Sequence, residues 1–112
     1  MYRYYQLYLK DILTSALSIE EYVYDIEYED FINDRKTYQA VIREFEIIGE
    51  AVAKLPEEIK IKYPEVEWQD IKDFRNLLIH EYFGVDLEIV WQVIKEDLPV
   101  LIKVVKEILE KK

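Results

Sequence analysis

Apolar residues recur along the first fifth of the chain at Tyr5, Leu9, Ile12, Leu13, Ala16, Ile19 and Val23. Steps of three and four put them on one face of a helix, predicted over 3–24. Residues 25–33 are acidic and aromatic and read as a connection. Asp34 then stands where an N-cap is needed, and a second stripe follows at Tyr38, Val41, Phe45, Ile48, Val52 and Leu55. Gly49 lies in the middle of this second helix, where it costs about 1 kcal/mol against Ala. Close approach of another backbone is the expected reason for it. Pro56 opens a short helix over Glu57–Lys62, and Pro64 closes it. A third long helix starts at Glu67 or just before it, with Gly84 suited to its C-terminal cap. Asp86 suits the N-cap of a last helix reaching about Glu110. Pro99 is expected to kink or split that helix, with Asp97 as a second cap.

No alternation of the strand kind is sustained, and only two glycines and three prolines occur. The predicted fold is all-α: an antiparallel bundle of four long helices plus a short one, forming one domain over 1–112. With 51% hydrophobic residues the chain can build a core without disulfides or metal. It has no cysteine, which removes thiolate zinc sites and cysteine nucleophiles. A lone histidine removes a multi-histidine metal site within one chain. No apolar stretch is long enough to span a bilayer and no signal-peptide core precedes the first helix, so a cytoplasmic location is expected. The net charge of −9 argues against non-specific binding to nucleic acid, which needs lysine and arginine to neutralise phosphates. DNA is therefore not an expected partner, although a local positive pocket remains compatible with the charge.

The third helix carries the chemistry. Arg75-Asn76-Leu77-Leu78-Ile79-His80-Glu81-Tyr82 holds the only histidine of the chain and one of its four arginines. With Arg75 at 0° and about 100° per residue, Ile71, Phe74, Leu77 and Leu78 share one arc and form the expected core face. Trp68, Ile79 and Phe83 fall on the opposite side, at about 20°, 40° and 80°. A second apolar stripe there predicts a further buried surface, most simply a contact between subunits. Arg75 and His80 are about 140° apart, too far to converge on one small ligand from one straight helix. A two-fold contact between copies of this helix brings each Arg75 near its partner's His80. Lys72, at about 60°, is the expected additional phosphate contact. Glu46 and Glu50 read as solvated surface of the second helix.

Three blocks in order also resemble a known family. They are Arg75–Tyr82 after the upstream Trp68, Arg43-Glu44-Phe45-Glu46-Ile47-Ile48-Gly49-Glu50-Ala51 in the second helix, and Asp97-Leu98-Pro99 in the last. Together they are similar to the HEPN superfamily, and more narrowly to its HepT-like toxin branch, over essentially the whole chain. The branch signature is Arg, four residues, His, one residue, Tyr, and Arg75, His80 and Tyr82 fill it without a gap.

The resemblance implies a homodimeric bundle that cleaves RNA with no cofactor and no metal. It implies Arg75 and His80 as catalytic residues, supported by Asn76 and Tyr82. It also implies a partner, a small MntA-like nucleotidyltransferase antitoxin of a type VII-like toxin–antitoxin pair. That enzyme adds AMP to the motif tyrosine, here Tyr82, and silences the toxin, and a higher assembly of the two proteins is compatible with this. Physical chemistry makes the roles intelligible. An imidazole with an ordinary pKa of about 6.5 can give or take a proton at neutral pH. A guanidinium is always charged and offers a planar fork to phosphate oxygens. The competing reading is a HEPN binding module that partners a minimal nucleotidyltransferase and cuts nothing itself. A third is a purely structural dimeric bundle.

Overall fold

The computed structural model describes residues 2–80 and 86–111, with side chains described for 5–78 and 86–111. All regular structure among these residues is helical. The elements are α1 (Tyr2–Tyr22), α2 (Tyr28–Ile32), α3 (Arg35–Ala53), α4 (Glu57–Lys62), α5 (Trp68–His80) and α6 (Leu87–Gln92). A π-helical turn (Val93–Asp97) then joins α6 to α7 (Leu98–Glu110). The expected caps at Gly84 and the residues Tyr82 and Phe83 lie outside the described residues, as do the side chains of Ile79 and His80.

The stripes read from the sequence form the core. Leu9, Ile12, Ala16, Ile19 and Val23 of the first helical stretch are buried, against Val41, Phe45, Ile48 and Val52 of α3. Leu98, Leu101, Val104, Val105 and Ile108 of α7 complete the same cluster. Helices α1 and α3 run antiparallel. Tyr22 Oη, at the end of α1, donates to Glu44 Oε2 at 2.9 Å, whereas Lys54 Nζ, just past α3, sits 5.7 Å from the ring of Tyr8 near the start of α1. Helix α3 also packs on α5, and α1 on α7, so α3 lies between the first helix and the one carrying the motif. Asp34 caps α3 as its position predicts, with Oδ1 accepting from Thr37 N at 3.2 Å. Asp86 caps α6 by accepting from Glu88 N at 2.9 Å.

The segment 25–33 is not merely a connection. It contains α2, whose start is fixed by Glu27 N donating to Asp30 Oδ2 at 3.0 Å. Phe31 is fully buried and meets Trp91 at 5.1 Å and Tyr38 at 6.4 Å between ring centroids. A five-residue helix held by one aromatic anchor shows no full period in sequence, which is why it escapes a periodicity reading.

Ahead of Pro99 the last helix is interrupted by the π-helical turn, and Asp97, at the N-cap position of α7, caps nothing with its side chain. Asp97 has helical backbone angles (φ −95°, ψ −35°) and its side chain makes no capping bond. Instead Leu98 N donates to Val93 O, five residues back. Proline lacks an N–H, and its ring collides with the carbonyl four residues earlier in a regular α-helix. One wider turn ahead of Pro99 moves that carbonyl aside and lets the helical path continue.

Candidate active site

Helix α5 is placed by its first residue. Trp68 is buried and its Nε1 donates to Tyr63 O at 3.0 Å, locking the start of α5 onto the C-terminal cap of α4. This corrects the expectation that Trp68 belongs to an intersubunit stripe. The indole has a polar edge, and the backbone carbonyl of Tyr63 satisfies it inside the same chain. Leu78 is fully buried, and Ile71 and Phe74 pack partly against the core, Phe74 edge-on to Phe45 at 5.2 Å. Leu77 departs from the expected core arc: it is 41% exposed, on the wall of an open groove.

Arg75 projects from the middle of α5 toward α3 and meets Gly49. A methyl group built on Gly49 would lie 2.7 Å from Arg75 Cγ, 3.1 Å from Cδ, and against Cβ. The mid-helix glycine is thus explained by a side-chain stem on the neighbouring helix rather than by backbone contact. Glycine leaves a notch, and the notch takes the aliphatic part of the arginine.

Among the described residues the guanidinium makes two contacts as it leaves this notch. Arg75 Nη2 is 3.8 Å from Glu50 Oε2, and Nη1 donates to Asn76 Oδ1 at a long 3.4 Å. Arg75 Nε is buried and has no hydrogen-bond partner among the described residues. A buried donor without a partner is costly, and native proteins rarely keep one without a use. Both contacts are long, so among the described residues the fork has N–H groups left to meet an anion. Asn76 is exposed and holds one edge of the fork; Glu50, 61% exposed, stands at another.

Arg75 and Asn76 are therefore together. His80 is the last residue of α5, five positions further on, or about 7.5 Å along the axis at 1.5 Å per residue. Tyr82 lies outside the described residues. Lys72 is half-buried, close enough to Lys60 that its charge, after burial, helps hold the Lys60 ammonium below its ordinary pKa.

The second wall of the site comes from α3. Glu50 also lines a polar pocket of about 170 Å³ between α1 and α3, shared with Tyr8, Asp11, Arg43 and Lys54. Arg43 Nη1 lies 3.3 Å from Glu46 Oε1. Arg43, Ile47, Glu50 and Lys54 step by four, three and four along the chain, a stripe on the non-core side of α3 that spacing could have revealed. In a chain with 24 carboxylates against 15 cations, Arg43, Lys54 and Arg75 balance Asp11, Glu46 and Glu50 here, so this side is less acidic than the chain as a whole. No group of three or more His, Cys, Asp and Glu residues among the described residues is arranged to hold a metal ion.

Comparison with known proteins places the chain. A family model described as "Ribonuclease HepT-like" matches residues 12–108. A protein of Thermococcus cleftensis named "Probable ribonuclease HepT" is 46% identical over 101 residues, covering 90% of this chain and 92% of that protein. One from Caldanaerobacter subterraneus subsp. tengcongensis, named as a "Putative RNase", is 46% identical over 104 residues, 93% of each chain. A longer Methanocaldococcus jannaschii protein, whose name joins a gamma-glutamylcyclotransferase to an RNase, is 43% identical over 105 residues, 47% of its length. No solved structure matches the chain. The chain belongs to the HepT-like ribonuclease family, within the HEPN superfamily. Its enzyme class is that of a ribonuclease.

Proposed function

We propose that this chain is a metal-independent endoribonuclease toxin of a type VII-like toxin–antitoxin pair, acting from a site at a dimer interface. The observation that supports the reading is the docking of Arg75: its stem is set in the Gly49 notch, and its fork, five residues before His80, has only long contacts among the described residues. Cleavage of RNA without a metal requires three things. The 2′-hydroxyl must lose its proton, the phosphorane must be stabilised, and the 5′-oxygen must gain a proton. Arg75 binds the scissile phosphate and its added charge. Asn76 steadies the fork. Two His80 residues across a two-fold divide the roles of base and acid. The wheel separation of Arg75 and His80 by about 140° is what asks for a second copy. RNA approaches from the side of Arg43 and Lys54, because elsewhere an acidic chain repels it.

Silencing is proposed to act at Tyr82. A nucleotidyltransferase antitoxin joins the Tyr82 hydroxyl to the α-phosphorus of ATP and releases pyrophosphate. The AMP adds a bulky anion two residues from His80, where it competes with RNA for Arg75. The test is incubation with the transferase and ATP, read by mass spectrometry and by RNA cleavage. One or more AMP units on Tyr82, loss of cleavage, and escape by Tyr82→Phe support the proposal. Continued silencing of Tyr82→Phe contradicts it.

A further inference from the structure

A groove of about 490 Å³ opens between α3, the entry to α5 and the turn leading into α7. Its floor and walls are apolar and include Phe45, Ile48, Phe74 and Leu101. Leu77 and Val100 stand on its wall 41% and 37% exposed. Its polar lining residues are Glu65, Glu67, Asp70, Asp73 and Asp97, all carboxylates, and no lysine or arginine is among the residues that line it. Asp97 feels this crowding. Partial desolvation first, then the charges of Glu96, Asp70 and Glu67, hold its carboxyl above the ordinary range.

We infer that this groove is a docking surface for a partner protein, and that it takes an amphipathic helix with apolar anchors flanked by lysine or arginine. The apolar floor offers what such anchors need, in the manner of a helix lying in a groove. The rim chooses among occupants by charge. RNA is repelled by five carboxylates, so the groove is not the substrate site. A second copy seated groove to groove would set these carboxylates against their own equivalents. A cationic helix relieves the repulsion that the rim residues already suffer.

The position of the groove gives its occupant a consequence. Phe74 precedes Arg75 and Ile48 precedes Gly49, so the helices that wall the groove are those that set the arginine in its notch. The π turn contributes Val93 and Asp97 to the wall, and turns of this kind concentrate at functional sites. The surface goes beyond the proposed cleavage reaction and does not depend on it.

The test uses the full chain and two synthetic helical peptides with identical leucines at i, i+4 and i+7, one flanked by lysines and the other by glutamates. Fluorescence anisotropy at low and high salt reads binding, and light scattering reads the mass of the chain alone. The lysine peptide is expected to bind about tenfold or more tightly than the glutamate peptide. Asp70→Asn with Asp73→Asn should weaken it and flatten its salt dependence, and Leu77→Asp should abolish it. Equal binding of both peptides, no binding of the lysine peptide, or indifference to Leu77→Asp overturns the inference. A dimer that Leu77→Asp converts to monomer also overturns it, in favour of a second copy as the occupant. RNA cleavage is not a readout, so failure here and failure of the ribonuclease mechanism are separate results.

Discussion

Gly49 and Arg75 fit as notch and stem: the absent side chain of one makes room for the Cβ, Cγ and Cδ of the other. The relationship fixes where the guanidinium leaves the surface. It also places two helices at a distance that no other residue at position 49 tolerates. Gly49→Ala should therefore destabilise the fold by about 1–3 kcal/mol, as overpacking does, although alanine is the better helix former by about 1 kcal/mol. Urea denaturation measures the loss. Because the nearest atom is Arg75 Cβ, shortening Arg75 to Ala should not restore stability. RNA cleavage by Gly49→Ala should fall with the displaced fork.

Arg75 and Glu50 make a separable pair. Arg75→Lys keeps the charge but loses the fork, and kcat for RNA cleavage should drop about 10²-fold, the scale of one lost transition-state donor. Glu50→Gln removes a carboxylate that competes with phosphate for the same guanidinium. At 3.8 Å and largely exposed, the contact is weak, so KM for RNA should fall by no more than about fivefold and stability should barely change.

Asp97 supplies a pH dependence with a definite sign. Its folded carboxyl binds a proton more tightly than the unfolded one, because desolvation and neighbouring carboxylates oppose ionisation. Ionised Asp97 thus costs stability at neutral pH. The cost shrinks as pH falls through the raised folded value and is gone below the unfolded value of about 3.9. Asp97→Asn should stabilise the protein at pH 7 by about 0.5 kcal/mol or less, discounted for its exposure. Denaturation curves of the two proteins should converge in acid.

Trp68 separates two accounts of the motif helix. As a buried anchor bonded to Tyr63 O, its replacement by Ala should cost about 3–5 kcal/mol at any protein concentration. An intersubunit tryptophan would instead give a cost that depends on concentration. Denaturation at two concentrations a hundredfold apart, about 1 and 100 μM, distinguishes them.

Much of this architecture could be read from periodicity. The stripes of α1 and α3 and the caps at Asp34 and Asp86 are single-helix properties, and they appear where the sequence puts them. What escaped were features set between elements. Trp68 lies about 80° round the wheel from Leu78, outside the core arc, yet Tyr63 comes round to cover it. Leu77 lies in the core arc, yet the groove leaves it open. Gly49 announced a close approach, but only the packing of α3 on α5 shows that the approaching group is Arg75. Pro99 predicted an interruption, but not its form, a π turn over Val93–Asp97. The motif itself was legible as a string. The role of α3 as its second wall, through Gly49 and Glu50, needed the fold.

Cleavage of RNA is proposed to need the guanidinium of Arg75 and the imidazole of His80 together. Its most direct measurement compares the purified chain with His80→Ala on a defined RNA, without added metal and with chelator present. Circular dichroism establishes that both are folded. The account predicts products ending in 2′,3′-cyclic phosphate from the parent chain, and a loss of about 10²-fold or more in rate with His80→Ala. Equal cleavage by the two proteins would contradict it.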